Sequence, residues 1–74
     1  HMIELNLDFI DFQDDVKRLN DIVHKLESNG WGKFIDCSGI LFYKNIIKDS
    51  AIEELNHLGI NELEPVEWTE TIEI

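Results

Sequence analysis

Basic residues are scarce in this chain and missing from both of its ends. Six Lys and Arg stand against sixteen Asp and Glu, and all six bases lie between Lys17 and Lys48. Residues 1–15 hold Glu4, Asp8, Asp11, Asp14 and Asp15, while residues 49–74 hold Asp49, Glu53, Glu54, Glu62, Glu64, Glu67, Glu70 and Glu73. The formal charge of −10 is therefore laid out as −5, +3 and −8 along the sequence. Phosphate backbones are bound through Lys and Arg, so this balance argues against direct nucleic-acid binding.

Cysteine is almost absent too. A lone Cys37 excludes an internal disulfide, and no apolar run of signal-peptide or membrane-spanning length is present, so a soluble cytoplasmic protein without a membrane partner is expected. Pro65 is the single proline, and no linker, repeat or low-complexity stretch breaks the chain. Its 43% hydrophobic and 9% aromatic content is ordinary for a globular sequence, so the acidity does not signify disorder. The expectation is one acidic α+β domain over residues 1–74 with a thin core, since a chain this short buries only about 60% of its unfolded surface. His1-Met2 has the form of a cloning remnant ahead of, or including, the natural start.

Ile3, Leu5, Leu7 and Phe9 alternate with Glu4, Asn6 and Asp8, the period of a strand with one dry and one wet face. Asp11 then falls where an N-cap belongs. Asp14 and Asp15 suit the positive end of a helix dipole, and Phe12, Val16, Leu19, Val23 and Leu26 follow at helical spacing up to the stop at Asn29-Gly30. Trp31–Cys37 and Ile40–Ile46 read as two strands joined by a tight turn at Ser38-Gly39, with their facing open. Ser50-Ala51-Ile52-Glu53 has the form of a capping box. It predicts a short helix lined by Ile52, Leu55 and Leu58 and ended by Gly59, with Ile60 folding back. From Glu62 to Ile74 alternation returns, with Val66, Trp68, Ile72 and Ile74 on the apolar face and Glu67, Thr69, Thr71 and Glu73 opposite; Glu70 interrupts the apolar face. Pro65 places the start of that strand at an edge.

This order of strand, helix, strand, strand, helix, strand resembles the ferredoxin-like arrangement, an antiparallel four-stranded sheet with two helices on one face. The resemblance is one of pattern along the whole chain and rests on no motif. It implies that the first and last strands are neighbours, so that Glu4 and Asp8 stand beside Glu67 and Glu73 on the uncovered face. Like charges about 7 Å apart at an effective dielectric near 20 repel by roughly 2 kcal/mol before screening. Either a cationic partner relieves that repulsion, or the charge serves solubility alone.

Other constellations carry simpler readings. Cys37 with Asp36 and His24 or His57 has no nucleophile signature, and Cys37 is expected as a buried thiol in a strand. Asp21, His24 and Glu27 share a helix face at ligand spacing but read as a solvated face. Gly30-Trp31-Gly32-Lys33 lacks the rest of a phosphate loop. Gly39-Ile40-Leu41-Phe42-Tyr43 resembles the aromatic strand of RNA-recognition motifs, against which the charges argue, although Phe42 or Tyr43 remains open to a protein contact. Trp31 and Trp68 are expected in the core.

The sequence therefore points to a non-enzymatic protein-binding module without cofactor or metal. Its partner would be a basic surface on another protein, such as a nucleic-acid-binding enzyme, met by Glu4, Asp8, Glu62, Glu64, Glu67, Glu70 and Glu73. The profile is similar to that of small acidic inhibitors of phages and mobile elements, including DNA mimics and anti-CRISPR proteins, and to acidic antitoxin or immunity proteins. The alternative is a self-associating regulatory domain that binds a small metabolite, as ACT-like domains of this architecture do. The chain is a monomer on the first reading and a homodimer on the second.

Overall fold

The computed structural model describes residues 1–68. Its elements are β1 (Ile3–Asp8), a 3-10 turn (Phe9–Phe12), α1 (Val16–Ser28), β2 (Gly32–Ile35), β3 (Gly39–Lys44), α2 (Lys48–Leu58) and β4 (Val66–Glu67). The four strands form one antiparallel sheet in the order β2-β3-β1-β4, so the first and last strands are hydrogen-bonded neighbours. The α+β class and the order of elements agree with the sequence reading. Among the described residues no helix is long and apolar enough to cross a membrane.

Alternation in β1 is realised as expected: Ile3, Leu5 and Leu7 are buried, and Glu4, Asn6 and Asp8 turn the other way. The chain does not enter α1 at Asp11. That residue lies in the 3-10 turn, which delivers Phe12 to the core, and Asp15 is the N-cap, its Oδ1 accepting the Arg18 backbone N–H at 3.2 Å. Ile22 and Leu26 are the buried side chains of α1, whereas Val16 is exposed. At its C-terminus Gly30 takes a left-handed φ of 88°, and the Trp31 N–H returns to the Leu26 carbonyl at 3.1 Å. That closure seats Trp31 in the core, only 4% exposed.

The β2–β3 connection turns about Asp36, whose Oδ1 accepts the backbone N–H groups of Ser38 (2.8 Å) and Gly39 (3.0 Å) and the Ser38 hydroxyl (2.9 Å). These donors hold the Asp36 carboxyl below its ordinary range. Cys37 is thereby an exposed turn residue, not the buried strand thiol that its neighbours suggested. Gly39 packs against the Leu7 carbonyl so closely that a Cβ would overlap it.

Helix α2 begins two residues ahead of Ser50, with Ile47 at the N-cap and no side-chain cap, so the capping box does not form. Asp49 takes the first turn, where the dipole favours an anion. Ala51 and Leu55 are the buried face, and Ile52, expected inward, is exposed. Gly59 adopts φ 72° and the Ile60 N–H reaches the Leu55 carbonyl at 2.9 Å, the termination read from the sequence.

A single cluster joins the inward residues of β1 and β3 to those of both helices, with Phe42 fully buried at its centre. Each such large apolar side chain contributes about 1.5–3 kcal/mol relative to exposure. Ile60 and Leu63, both buried, close this cluster before Pro65 is reached.

Candidate functional site

The facing of β4 decides what the outer side of the sheet looks like. Ile3 lies opposite Glu67 and Glu4 opposite Val66, and the Trp68 N–H donates to the Met2 carbonyl at 2.8 Å. Residues directly opposite one another across an antiparallel pair share a face. Glu67 therefore sides with Ile3, and Val66 and Trp68 side with Glu4, the reverse of the facing expected from the alternation. Trp68 is 58% exposed and is not a core residue. Because Ile60 and Leu63 already seal the core, β4 has no inward apolar place left to fill.

The outer face is consequently aromatic at one end and acidic at the other. In β3, Leu41 and Tyr43 point outward, with Phe34 of β2 opposite Leu41 and Glu4 of β1 opposite Tyr43. Phe34 is 67% exposed, and its ring lies 5.5 Å from that of Tyr43, tilted by 30°. Met2, Glu4, Phe34, Leu41, Tyr43 and Trp68 line a surface slot of about 240 Å³. Along the same face of β1 follow Asn6 and Asp8.

Beside Asp8 lies a second hollow, of about 400 Å³, bordered by Asp8, Asp11, Asp15, Arg18 and Glu62. Here the two acidic blocks meet around one guanidinium. Arg18 donates to both Glu62 oxygens (Nε at 2.5 Å, Nη2 at 2.8 Å), to Asp21 Oδ2 at 2.9 Å and to the Gly59 carbonyl at 2.7 Å. This fork ties α1 to the end of α2 and holds the Glu62 carboxyl down at about 2. Asp21 also lies below its ordinary range, chiefly because Lys25 donates to it.

Four of the six bases are engaged inside the molecule: Arg18 as above, Lys25 with Asp21 at 3.0 Å, Lys33 with Glu27, and Lys44 with Glu54 at 3.0 Å. The last pair also receives the Trp31 indole N–H on Glu54 at 2.6 Å, and Lys44 Nζ stands 5.7 Å from the Trp31 ring centroid. The mildly basic centre of the chain is thus largely neutralised within the fold. Glu4, Asp8, Asp11 and Glu64 enter none of these pairs.

Of the carboxylates singled out by sequence, Glu4 and Asp8 share the outer sheet face, and Glu62 borders the hollow but is committed to Arg18. Glu64 is exposed in the connection to β4. Glu67 lies on the other side of the sheet plane from Glu4, 2.8 Å from His1 Nδ1. Glu70 and Glu73 lie outside the described residues, so the expected line of Glu4, Asp8, Glu67 and Glu73 on one face is not formed at Glu67. Sequence reasoning missed Met2, Phe34, Leu41 and Asp11 as surface features. The signal was there in Ile40-Leu41-Phe42-Tyr43, a strand apolar on both faces.

His24 and His57 are exposed on their helices, and Asp21 and Glu27 of the ligand-spaced set are occupied by Lys25 and Lys33. No group of three or more His, Cys, Asp or Glu is placed to hold a metal ion among the described residues. No family model, curated protein or solved structure matches this chain.

Proposed function

We propose that this chain is a non-enzymatic protein-binding module of ferredoxin-like arrangement, both helices on one sheet face, that occupies a basic surface of another protein. A nucleic-acid-binding enzyme is the natural owner of such a surface, since its own groove is lined with Lys and Arg. One observation carries the reading: among the described residues Glu4, beside an exposed aromatic patch, and Asp8 and Asp11, at the other end of the same face, enter no ion pair, while most of the chain's bases are committed to other carboxylates. An apolar centre with a charged margin is the anatomy of a protein interface, in which aromatics anchor and charges steer. The profile is similar to that of DNA mimics, anti-CRISPR inhibitors and acidic antitoxin or immunity proteins, an analogy of charge and size. The single exposed thiol of Cys37 suits a reducing cytoplasm.

The test is affinity capture from the native host at low and high salt, with the captured protein identified and challenged with competing duplex DNA. A basic nucleic-acid-binding protein should be held at low salt and released by salt or by DNA. The double variant Asp8→Lys, Asp11→Lys should lose it at unchanged melting temperature. Equal capture by that variant, or capture indifferent to salt, overturns the proposal.

A second reading, the self-associating regulatory domain, is favoured by β2, an outer strand whose Phe34 and Ile35 are exposed. A salt-independent dimer in sedimentation, stabilised by a small metabolite, supports that reading over the first.

A further inference from the structure

We propose that the slot between Phe34, Tyr43 and Trp68 receives one arginine side chain of the partner, its guanidinium stacked on the rings and forked onto Glu4; this rests on the protein-binding reading above. At about 240 Å³ the slot is smaller than the roughly 300–1,000 Å³ of small-molecule sites and suits a single long side chain. Its walls come from different strands. Phe34 and Tyr43 stand on β2 and β3 at one side, and Met2 and Trp68 at the β1–β4 side.

One wall is set in advance. The phenol end of Tyr43 lies over Gly32, where any Cβ would overlap the ring, and Phe34 braces it from the side. The ring thus leans toward β2 and away from Glu4, which stands in the row between Tyr43 and Val66. Glu4 is a half-buried carboxylate flanked by apolar side chains, and no Lys, Arg or His among the described residues pairs with it. An anion in such surroundings attracts a cation more strongly than one in open water. Aromatic faces add the attraction of their quadrupoles for a cation. Flat walls and a two-oxygen acceptor fit the planar guanidinium, which stacks and forks at once, better than the compact, strongly hydrated ammonium of lysine.

The probes are three blocked tripeptides, acetyl-Gly-Xaa-Gly-amide with arginine, lysine or citrulline at the centre, titrated into the full chain at low salt. The indole N–H resonances of Trp68 and Trp31 are followed together. Trp31, buried away from this face, is the internal control. The arginine peptide should shift Trp68 alone in a saturable manner. Citrulline, of the same shape without the charge, should bind roughly tenfold more weakly, and Glu4→Gln should narrow that difference to the part the aromatic walls supply. Citrulline or lysine binding as well as arginine, or a Trp68 resonance that stays still, overturns the assignment. If the peptides fail while wild type still captures a basic protein in a salt-sensitive way, the slot falls and the proposed function stands. If the arginine response persists while capture is indifferent to salt, the reverse holds.

Discussion

Replacing Glu62 with Gln removes the charge from the fork that Arg18 of α1 makes with the segment following α2. In the wild type the Glu62 carboxyl sits at about 2 instead of its ordinary 4.5. Carried over in full, that fall corresponds to roughly 3 kcal/mol of preference for the folded state. The Glu62 side chain keeps 32% of its exposure, and solvent screening reduces the figure to about 1–2 kcal/mol. A carboxyl whose folded value is depressed contributes stability that is fully present above its unfolded value and is lost as pH falls toward the folded one. The contribution of Glu62 is therefore complete above about pH 4.5 and disappears toward pH 2. Urea unfolding of wild type and Glu62→Gln in parallel from pH 7 to pH 2 measures it. Asp36 is held low by Ser38 and Gly39, remote from Arg18, and contributes equally to both curves, so the difference between them reports Glu62 together with any adjustment of Asp21, which shares Arg18 with it. The variant should be about 1–2 kcal/mol less stable at neutral pH, and the gap should close as pH falls through that window. A gap that stays constant with pH, or a variant as stable as wild type at pH 7, refutes the reasoning.

Two further outcomes follow from the hairpin. Gly39→Ala drives a methyl group into the Leu7 carbonyl, so the central β1–β3 pairing must shift, at a cost of about 1–3 kcal/mol read from the urea midpoint; an unchanged midpoint contradicts the close approach. Cys37 in the folded protein should react with a thiol-specific disulfide reagent at nearly the rate measured in urea, and strong native-state protection contradicts its exposed position in the turn.

The architecture was legible because its signals are local. Alternation through Ile3, Leu5 and Leu7, the stops at Gly30 and Gly59 and the return of Ile60 each depend on a few adjacent residues. What was hidden depends on parts distant in sequence. Asp8, Asp11, Asp14 and Asp15 all have capping chemistry, and the choice of Asp15 follows from where Phe12 must sit in the core. The facing of β4 is a matter of parity, and parity was settled by Ile60 and Leu63 filling the core first, so that the alternating Val66, Glu67 and Trp68 took the opposite phase. Of the candidate surface, Glu4 and Asp8 were legible because β1 is. The engagement of Glu62 by Arg18 spans 44 residues and no periodicity announces it. The aromatic slot was hidden for the same reason, since Met2, Phe34, Tyr43 and Trp68 converge from four strand regions.

β1 lies inside the sheet, and both of its lateral partners come from later in the chain, around residue 44 and residue 67. Until residues 39–44 have been made, Ile3, Leu5 and Leu7 have neither neighbour to zip against, and the β4 side stays open until residues 66–67 follow. The Asp and Glu residues interspersed along β1 and clustered just after it give the nascent segment mutual repulsion during this interval. The charges that would draw a basic partner to the finished molecule are thus placed where they also oppose association of unpaired β1 segments.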